Sequence, residues 1–530
     1  MTPEGKRKWA TILRIALVAG LVLVVGFGLY LAWRLTLDRP VDYKADADHF
    51  KHGSLGGERT MGIPYWLWVA LPELFPEYLP DQQPGRGYAS FGMLYEPGED
   101  PRYALPIGVS RRNVRGIESV YLNCAVCHTS TVRKAPDAPP RVILGMPANT
   151  FDTGAWAQFL GRIARDQKFT PERLLDQIRA LQDNPHRVVD KPDLINRLIF
   201  RYVAVYLMRE QMLALPQRLS FIDLGSWGPG RNDTFGADKA FFRFPMAHAD
   251  PSEATGNADF PSIWNQGPRQ GQDGKWAMGL HWDGNNDRVG ERNLNAAYAA
   301  GVIPPTADAA RMERTAKWLE TAKPVPITDF FPVDAALAAR GEPIYAHYCA
   351  SCHGTKDPPF RHLPPLPAEY VGEVTPIGVI GTDRHRLDSF TRELSVNLAT
   401  NYAGFEKDWG FDPPYPQRFT RYHKTWGYAN APLDGAWLRA PYLHNGSVPN
   451  LRELLLPAAA RTKVFYRGDD VYDPANVGFV ANLPEREGHR FFRFDTARPG
   501  NGNGGHEGEA FGTYLSAEQK NALLEYLKTF

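Results

Sequence analysis

The first feature of the hydrophobic pattern is an uncharged run from Ile15 to Trp33, preceded by a basic segment between Lys6 and Arg14. The run has about the length that a helix needs to cross a bilayer. Basic residues stay on the cytoplasmic side. A cleavable signal peptide has a shorter apolar region and a small-residue cleavage site, so we favour an anchor. The pattern predicts that residues 1–34 are a cytoplasmic stub and single transmembrane helix in a bacterial inner membrane, with the bulk of the chain in the periplasm.

Apolar residues at helical spacing recur later in the chain. "DTGAWAQFLGRIAR" has one apolar face, and the next segment begins with Thr170 as N-cap and Pro171 in the first turn. A longer helix is predicted over about 192–215, and Ser516 starts a capping box before the C-terminal helix. No strand alternation is strong enough to indicate a large sheet. The fold class predicted is mainly α, with long irregular loops.

Composition narrows the function classes. The 530 residues are 43% hydrophobic, which is ample material for a core. Lys plus Arg number 60 and Asp plus Glu 59, so the chain lacks the basic excess with which nucleic-acid-binding proteins neutralise phosphates. We therefore expect no nucleic-acid partner.

The four cysteines carry the clearest chemical signal. They lie in two motifs, "NCAVCHTS" and "YCASCHG", each of the form C-x-x-C-H. This spacing is that of c-type haem attachment: two thiols bond to the haem vinyl groups, and the adjacent histidine becomes the proximal iron ligand. The residues concerned are Cys124, Cys127, His128, Cys349, Cys352 and His353.

Other uses of the cysteines fit less well. Two disulfides would not need a histidine after each pair, and neither would a thioredoxin-type redox pair. A zinc site draws its ligands from nearby pairs, whereas these pairs are far apart in the chain. We predict two covalently bound c-type haems.

The motifs divide the chain into two haem domains. After residues 1–34 we expect a linker over 35–60, an N-terminal haem domain with helical and loop insertions over 61–330, and a C-terminal cytochrome c domain over 331–530. In the last of these, the C-terminal helix is expected to pack on the helix that carries the haem motif.

The sixth ligand of the second haem follows from elimination. The last methionine, Met312, precedes the second motif, so no downstream methionine is available. His444, in "APYLHNGSV", has an apolar approach and a glycine turn, whereas the other downstream histidines have polar surroundings typical of surface positions. We predict that His444 closes this site, which makes the second haem an electron relay. The alternatives are His362, His385, His423, His489 and His506.

The first haem has a wider choice of sixth ligand. An open position is equally consistent with the sequence. His281 and Trp282, in "LHWDGNND", are candidates to line a distal pocket or carry electrons between the haems, and Trp264 competes for the bridging role. The possible ligands are Met146, Met246, Met278, His248 and His281.

These motifs resemble a known family. "APYLHNGSVPNLRELL" is similar to the C-terminal signature of the di-haem cytochrome c peroxidase and MauG superfamily. Together with "GIPYW", "FPSIWNQ", "LHWDGNN" and "FYRGDDVYD", the set looks closest to the rubber-oxygenase-like branch. The resemblance implies a reactive N-terminal haem with His128 as proximal ligand. It also implies a relay haem held by His353 and His444.

Two departures limit what the resemblance implies. The segment after His128 does not match the loop that carries the catalytic glutamate of the peroxidases. Rubber oxygenases are secreted to reach a polymer, whereas this chain carries a predicted anchor, which disfavours polyisoprene as the substrate.

The sequence thus predicts a membrane-anchored haem oxidoreductase that activates oxygen or peroxide at the N-terminal haem. Its partners would be the membrane and a redox protein or small-molecule oxidant or substrate. The alternative is an electron-transfer cytochrome with no substrate of its own.

Overall fold

The computed structural model describes residues 2–241, 244, 246, 250–270, 278–358, 360, 371–400 and 419–530. His248 and His362 lie outside the described residues. The chain is 45% helical and 12% strand, which agrees with the mainly α prediction.

The helices are α1 Pro3–Leu35, α2 Asp46–His52, α3 Glu58–Met61, α4 Tyr65–Leu74, α5 Thr153–Arg165, α6 Pro171–Leu181, α7 Leu194–Ile199, α8 Val205–Arg218, α9 Thr234–Phe241, α10 Val289–Ala299, α11 Ala309–Thr321, α12 Ala335–Tyr348, α13 Ala350–His353, α14 Ile377–Ile380, α15 His385–Ser389, α16 Arg392–Thr400, α17 Leu451–Leu454 and α18 Ala517–Leu527.

The strands are β1 Asp38–Pro40, β2 Ile63–Pro64, β3 Val109–Val114, β4 Ile117–Leu122, β5 Thr129–Val132, β6 Arg141–Leu144, β7 Arg231–Asn232, β8 Ala258–Asp259, β9 Val374–Pro376, β10 Gly427–Ala429, β11 Val464–Arg467, β12 Tyr472–Asp473, β13 Gly478–Phe479, β14 Glu485–Arg486, β15 His489–Arg490 and β16 Phe492–Asp495. Within the described ranges, one sheet has four strands, in the order β1-β3-β4-β2, and the others have two.

Helix α1 is long and apolar enough to cross a membrane, and none of its most apolar window is buried against the rest of the chain. Side chains such as Leu23 and Val24 are about seven-tenths exposed, at 73% and 69%. A helix that is apolar on all sides needs an apolar environment around it. The composition of α1 therefore supports the predicted anchor.

The predicted linker over 35–60 is part of the folded body. Strand β1 pairs antiparallel with β3, and α2 buries Phe50. The polar residues that suggested a linker are engaged in ion pairs, because Asp38 accepts hydrogen bonds from both Arg112 and Arg59. Periodicity cannot reveal such pairing, since its partners lie elsewhere in the chain.

The N-terminal core is built on α4, α5, α6 and α8. Residues 65–72 of α4 are all buried, which explains why this helix is apolar on every side. Thr170 caps α6 through a hydrogen bond from the Arg173 amide, as predicted. The predicted long helix is also present: α7 continues through a π-helical turn, Phe200–Ala204, into α8.

The C-terminal region is organised by the crossing of α12 and α18. The crossing is close at Gly341, where a β-carbon would lie 2.0 Å from the Ala522 carbonyl oxygen. Tyr345 packs against Tyr526 and Phe530, with ring centroids 5.5 and 4.8 Å apart. The prediction that the terminal helix packs on the motif-bearing helix is confirmed.

Candidate functional site

The first C-x-x-C-H motif lies in a short turn after strand β4. Asn123 caps this turn: its side chain accepts a hydrogen bond from the Ala125 amide at 2.9 Å and donates to the Gly53 carbonyl at 3.0 Å. Cys124–Val126 form a single 3₁₀ turn, and β5 begins directly after His128. The motif is thus fixed between strands and the segment that follows α2.

His128 has the orientation expected of an iron ligand. Its Nδ1 lies 2.8 Å from the Pro261 carbonyl oxygen, to which it donates, and its Nε2 has no hydrogen-bond partner among the described residues and can bind a metal. Burial lowers the pKa of His128 to about 4. The ring is therefore neutral at physiological pH, as a metal ligand must be.

The second motif has the same histidine geometry in a helical setting. Its residues follow α12 directly, and α13 ends at His353. The Nδ1 of His353 donates to the Ala431 carbonyl oxygen at 2.7 Å, and burial lowers the pKa of this histidine too. Both motifs therefore offer one free imidazole nitrogen beside two thiols.

The cysteines and their surroundings fit covalent haem. All four thiols are free of disulfide bonds and half-buried. Cys124 packs against an apolar cluster that includes Tyr298 and Phe419, and Cys349 packs against a separate cluster that includes Tyr345. Unpaired thiols beside an apolar wall suit a flat apolar macrocycle, so the donor set and its surroundings fit a c-type haem at each motif.

A second histidine faces His353, and it is His506. The ring centroids of the two residues are 6.4 Å apart. Metal–imidazole bonds of about 2 Å on opposite sides of one ion separate two ring centroids by roughly this distance. His506 Nδ1 is buried and has no hydrogen-bond partner in the described part of the chain. An unpartnered buried nitrogen at this position fits a metal ligand.

The loop around His506 is firmly held. The guanidinium of Arg461, which is 2% exposed, donates to the carbonyl oxygens of Asn503, Gly505 and His506 at 2.6, 2.9 and 3.2 Å. The His506 amide donates to the Ile380 carbonyl at 2.7 Å. The polar, glycine-rich sequence suggested a surface loop, but a distant arginine orders it.

His444 is engaged elsewhere. Its ring stacks on Tyr428 with centroids 4.1 Å apart, and its Nε2 is hydrogen-bonded to the Tyr428 hydroxyl at 3.0 Å. That hydroxyl donates its own proton to the Asp383 carbonyl at 2.6 Å, so His444 Nε2 must be the donor toward it. Burial lowers the pKa of His444 to about 3. Its Nε2 is therefore committed to a hydrogen bond with Tyr428.

His281 belongs to the surroundings of the first motif. Its Nε2 lies 3.3 Å from the Tyr422 hydroxyl, and burial, with the charges of Arg386 and Arg292, holds its pKa well below the usual range. The same Arg292 charge adds to the burial that lowers the pKa of His128, and it partly offsets the burial that raises the pKa of Cys124. Arg292 thus lies within electrostatic reach of both the motif and His281. In the described part of the chain, no carboxylate forms an ion pair with Arg292.

Trp282 links the segments that hold the two motif histidines. Its indole N–H donates to the Asp259 carbonyl at 2.8 Å, two residues before Pro261, which orients His128. Its own carbonyl accepts from the Ala429 amide at 2.9 Å, two residues before Ala431, which orients His353. The indole is thus built into the connection between the two sites.

The remaining sequence candidates have mainly packing surroundings. Trp264 is 1% exposed and donates to the Asp434 carbonyl at 3.1 Å. Met146 is buried in the cluster against which Cys349 packs. Met278 packs with Phe360 and Val371, close to the second motif rather than the first. Met246 is half-buried.

Comparison with known proteins identifies one part of this region. Residues 427–466 match the family model described as RoxA-like, cytochrome c-like. The chain carries a cytochrome c-like domain. The matched segment contains Ala431, which orients His353, together with Tyr428 and His444. Such a domain implies a c-type haem with iron.

Two curated relatives are similar over shorter stretches. Uncharacterized protein y4iJ of Sinorhizobium fredii is 31% identical over 249 residues, which is 38% of this chain and 40% of that protein. Uncharacterized protein y4iM of the same organism is 30% identical over 240 residues, which is 42% of this chain and 49% of that protein. The chain therefore matches less than half the length of each relative.

Sequence reasoning missed several residues of these sites. The carbonyls of Pro261 and Ala431 carry no side-chain signal, and Arg292 belongs to no motif. His506 could be found only as one of several downstream histidines, because its selection depends on a loop ordered by Arg461.

Proposed function

We propose that this chain is a membrane-anchored, periplasm-facing di-haem c-type cytochrome that acts as an oxidoreductase. The haem at His128 would activate oxygen or peroxide, and the haem at His353 would relay electrons. The observation that carries the proposal is the contrast between two equivalent motifs. A second histidine faces His353, whereas the ring next to His128, among the described residues, is that of Phe260, at 6.3 Å.

The equal geometry of the motifs supports two haems. In each, Nδ1 donates to a backbone carbonyl, and Nε2 has no hydrogen-bond partner in the part of the chain that the structure describes. A carbonyl partner of this kind fixes the ring orientation and the tautomer of a ligating histidine. Each predicted domain would then carry one haem: the N-terminal domain over 61–330 and the C-terminal domain over 331–530. Residues 35–60 would pack onto the N-terminal domain.

We infer that His506, rather than His444, is the sixth ligand of the second haem. His506 combines a suitable distance from His353 with a buried Nδ1 that has no hydrogen-bond partner among the described residues. His444 instead supports the neighbouring structure, because its carbonyl accepts from the Asp259 amide at 2.8 Å and its ring holds Tyr428. Two histidine ligands leave no open position, which suits electron transfer rather than reaction.

The surroundings of the first motif suit a reactive site. When bound, a c-type haem supplies one-electron transfer and, where a coordination position is open, oxygen or peroxide chemistry. Arg292 offers a positive charge that no carboxylate of the described residues pairs with, and it would hold an anionic group such as a haem propionate. His281 stays neutral and lies next to the Tyr422 hydroxyl, so the pair can hold a proton at Nε2 or at the hydroxyl oxygen.

Trp282 is the residue we propose for electron transfer between the sites. Its contacts on both sides go to the segments that orient the two proximal histidines. Trp264 stays an alternative, because its ring lies 3.4 Å from the β-carbon position of Gly145, whose amide donates to the His128 carbonyl. Trp282→Phe should slow electron transfer between the haems more than Trp264→Phe does, measured by flash photolysis of the half-reduced protein.

The alternative function is electron transfer with no substrate. The contacts through Trp282 are compatible with it, because a relay between two haems serves either role. Resting-state EPR with added carbon monoxide, cyanide and peroxide distinguishes the two. One high-spin haem that binds these ligands supports the enzyme, and two low-spin haems that ignore them would exclude it.

The ligand assignment has a matched pair of variants. His506→Ala should convert the second haem from low-spin to high-spin and raise its reduction potential, because an iron ligand is lost. His444→Ala should leave that haem low-spin. The opposite result would restore His444 as the ligand.

A further inference from the structure

The segment formed by α7, the π turn and the first half of α8 has an exposed apolar face. Its exposed fractions reach 72% at Leu194, 66% at Tyr202 and 59% at Leu207. The opposite side of the same segment buries Phe200 and Val205 in the N-terminal core. The members of the exposed face recur at helical spacing and are Leu194, Leu198, Tyr202, Val203, Tyr206 and Leu207.

Such a face requires a partner. A helix packed on a core by one side normally presents polar residues on the other. A continuous exposed apolar patch marks a surface that contacts lipid or protein.

The position of this face is tied to the end of helix α1. Arg34, which is 4% exposed, donates to the Gly116 carbonyl at 2.8 Å and hydrogen-bonds to the Asn196 side chain. It also lies 3.5 Å from the Asp193 carboxylate. Asp193 is the N-cap of α7 and accepts from the Asn196 amide at 2.6 Å. One buried arginine thus joins the end of α1 to the start of α7.

We propose that the apolar face between Leu194 and Leu207 lies in the interfacial layer of the membrane that α1 spans. This inference rests on the proposed membrane anchor. The lipid surface is favoured over a protein partner because the face continues from the place where α1 leaves the folded body. A helix in this position buries its apolar face about 5–10 Å into the boundary between headgroups and acyl chains.

The residue types also favour lipid. Tyr202 and Tyr206 have rings with an apolar body and a polar tip, which suits the membrane–water interface. Arg201 lies within the same segment; its half-exposed guanidinium is 3.6 Å from the Glu172 carboxylate and can also reach lipid phosphates. Arg197 instead donates to the Pro192 carbonyl and the Gln182 side chain, at 3.1 and 3.3 Å. Trp33, 52% exposed next to Arg34, provides a further interfacial side chain. With helix α1 in the membrane and the apolar face in the interfacial layer, the folded body would be held in one orientation to the bilayer.

Fluorescence quenching by labelled lipid tests this orientation. The full-length haem-loaded chain is reconstituted in vesicles of phosphatidylcholine and phosphatidylglycerol. Tyr202→Cys or Leu207→Cys is labelled with an environment-sensitive dye, and the haem-bonded motif cysteines do not react. Tyr514→Cys is the control, because Tyr514 is 73% exposed and lies far from α7 in the chain. The haem absorbance of each variant reports that it has folded.

We expect blue-shifted emission and strong quenching by shallow nitroxide lipids at positions 202 and 207, with neither at 514. Flotation of the vesicles reports separately on the anchor. If the chain floats but the dyes at 202 and 207 stay unquenched, the inference fails and the anchor stands. If the chain does not float, the anchor and the inference fail together. Energy transfer between labelled copies without lipid quenching would assign the face to self-association and overturn the inference.

Discussion

The two C-x-x-C-H regions use the same local chemistry in different structural settings. The first motif lies in a 3₁₀ turn between strands β4 and β5, and the second lies between helix α12 and the short helix α13. Each histidine nevertheless donates from Nδ1 to a backbone carbonyl, at 2.8 and 2.7 Å. The five-residue motif therefore sets the proximal side of each site, whichever elements surround it.

The two regions differ in the side chains that other segments place around the motif histidines. Around the second motif a further histidine, His506, faces His353 at 6.4 Å. Around the first, the charge of Arg292 reaches His128, and His281 lies next to Tyr422. Segments distant in sequence thus supply the side chains that distinguish the surroundings of the two motifs, and the proposed division into a reactive site and an electron relay rests on that difference.

The largest expected effect comes from removing one motif at a time. Cys124→Ala with Cys127→Ala, and separately Cys349→Ala with Cys352→Ala, should each leave one covalent haem per chain. Pyridine haemochrome absorbance and intact mass measure the number. EPR should then retain the low-spin signal in the first double variant and lose it in the second. An unchanged haem content in either variant would contradict the two-haem assignment.

Gly341→Ala should destabilise the C-terminal region selectively. A β-carbon there would lie 2.0 Å from the Ala522 carbonyl oxygen, so α12 and α18 must separate. Overpacking against backbone costs about 3 kcal/mol of unfolding free energy. Calorimetry should show an earlier transition that coincides with changes in the second haem's spectrum. Gly378→Ala is the control, because nothing lies within 4 Å of its β-carbon position. Equal behaviour of the two variants would exclude a close helix crossing.

Asp238, which is electrostatically coupled to Tyr422 of the first region, should make stability depend on pH. Burial raises its pKa from 3.8 to about 7. Between pH 4 and pH 7 the folded chain keeps a proton on Asp238 that the unfolded chain has lost. The free energy of unfolding therefore decreases as the pH rises from 4 to 7 and is constant above that range. The loss of unfolding free energy over this range is at most about 4 kcal/mol. We expect about half of that value, because buried sites relax when they ionise.

Asp238→Asn removes this titration while keeping the shape of the side chain. The variant should gain stability over the wild type progressively from pH 4 to pH 7, with a constant difference above pH 8. Calorimetric melting temperatures of the variant and the wild type across this pH range measure the difference in stability, which is the gap between them. A gap that is the same at every pH would show that Asp238 ionises normally.

The smallest effect is expected from Arg292→Gln. Removing a positive charge within reach of His128 favours the oxidised haem, so the reduction potential of the first haem should fall. A charge at about 10 Å in an effective dielectric near 20 contributes about 70 mV for a one-electron couple. The potential of the second haem should not change. Spectroelectrochemical titration resolves the two haems, and Arg292→Lys, which keeps the charge, should retain most of the potential. A shift of both haems would place Arg292 between them.

Several elements were predictable from the sequence because their signals are local. The capping box at Ser516, the N-cap at Thr170 and the apolar face of α5 each depend on residues within one or two helical turns, and the structure has all three. The folded segment over 35–60 was not predictable, because Asp38 is paired with Arg112, far along the chain.

The sequence by itself was enough to identify the four cysteines and two histidines of the motifs as candidate haem-binding residues. Their chemistry requires only that they lie within five consecutive residues. The sequence also determined α1, whose length and lack of charge are local properties. The tertiary structure alone decided which histidine faces His353. Arg461 orders a loop that looked solvated and brings His506 into place, while Tyr428 engages His444. The histidine that faces His353, which we propose as the sixth ligand, is selected by contacts across the fold, and such contacts leave no periodic or compositional mark on the chain.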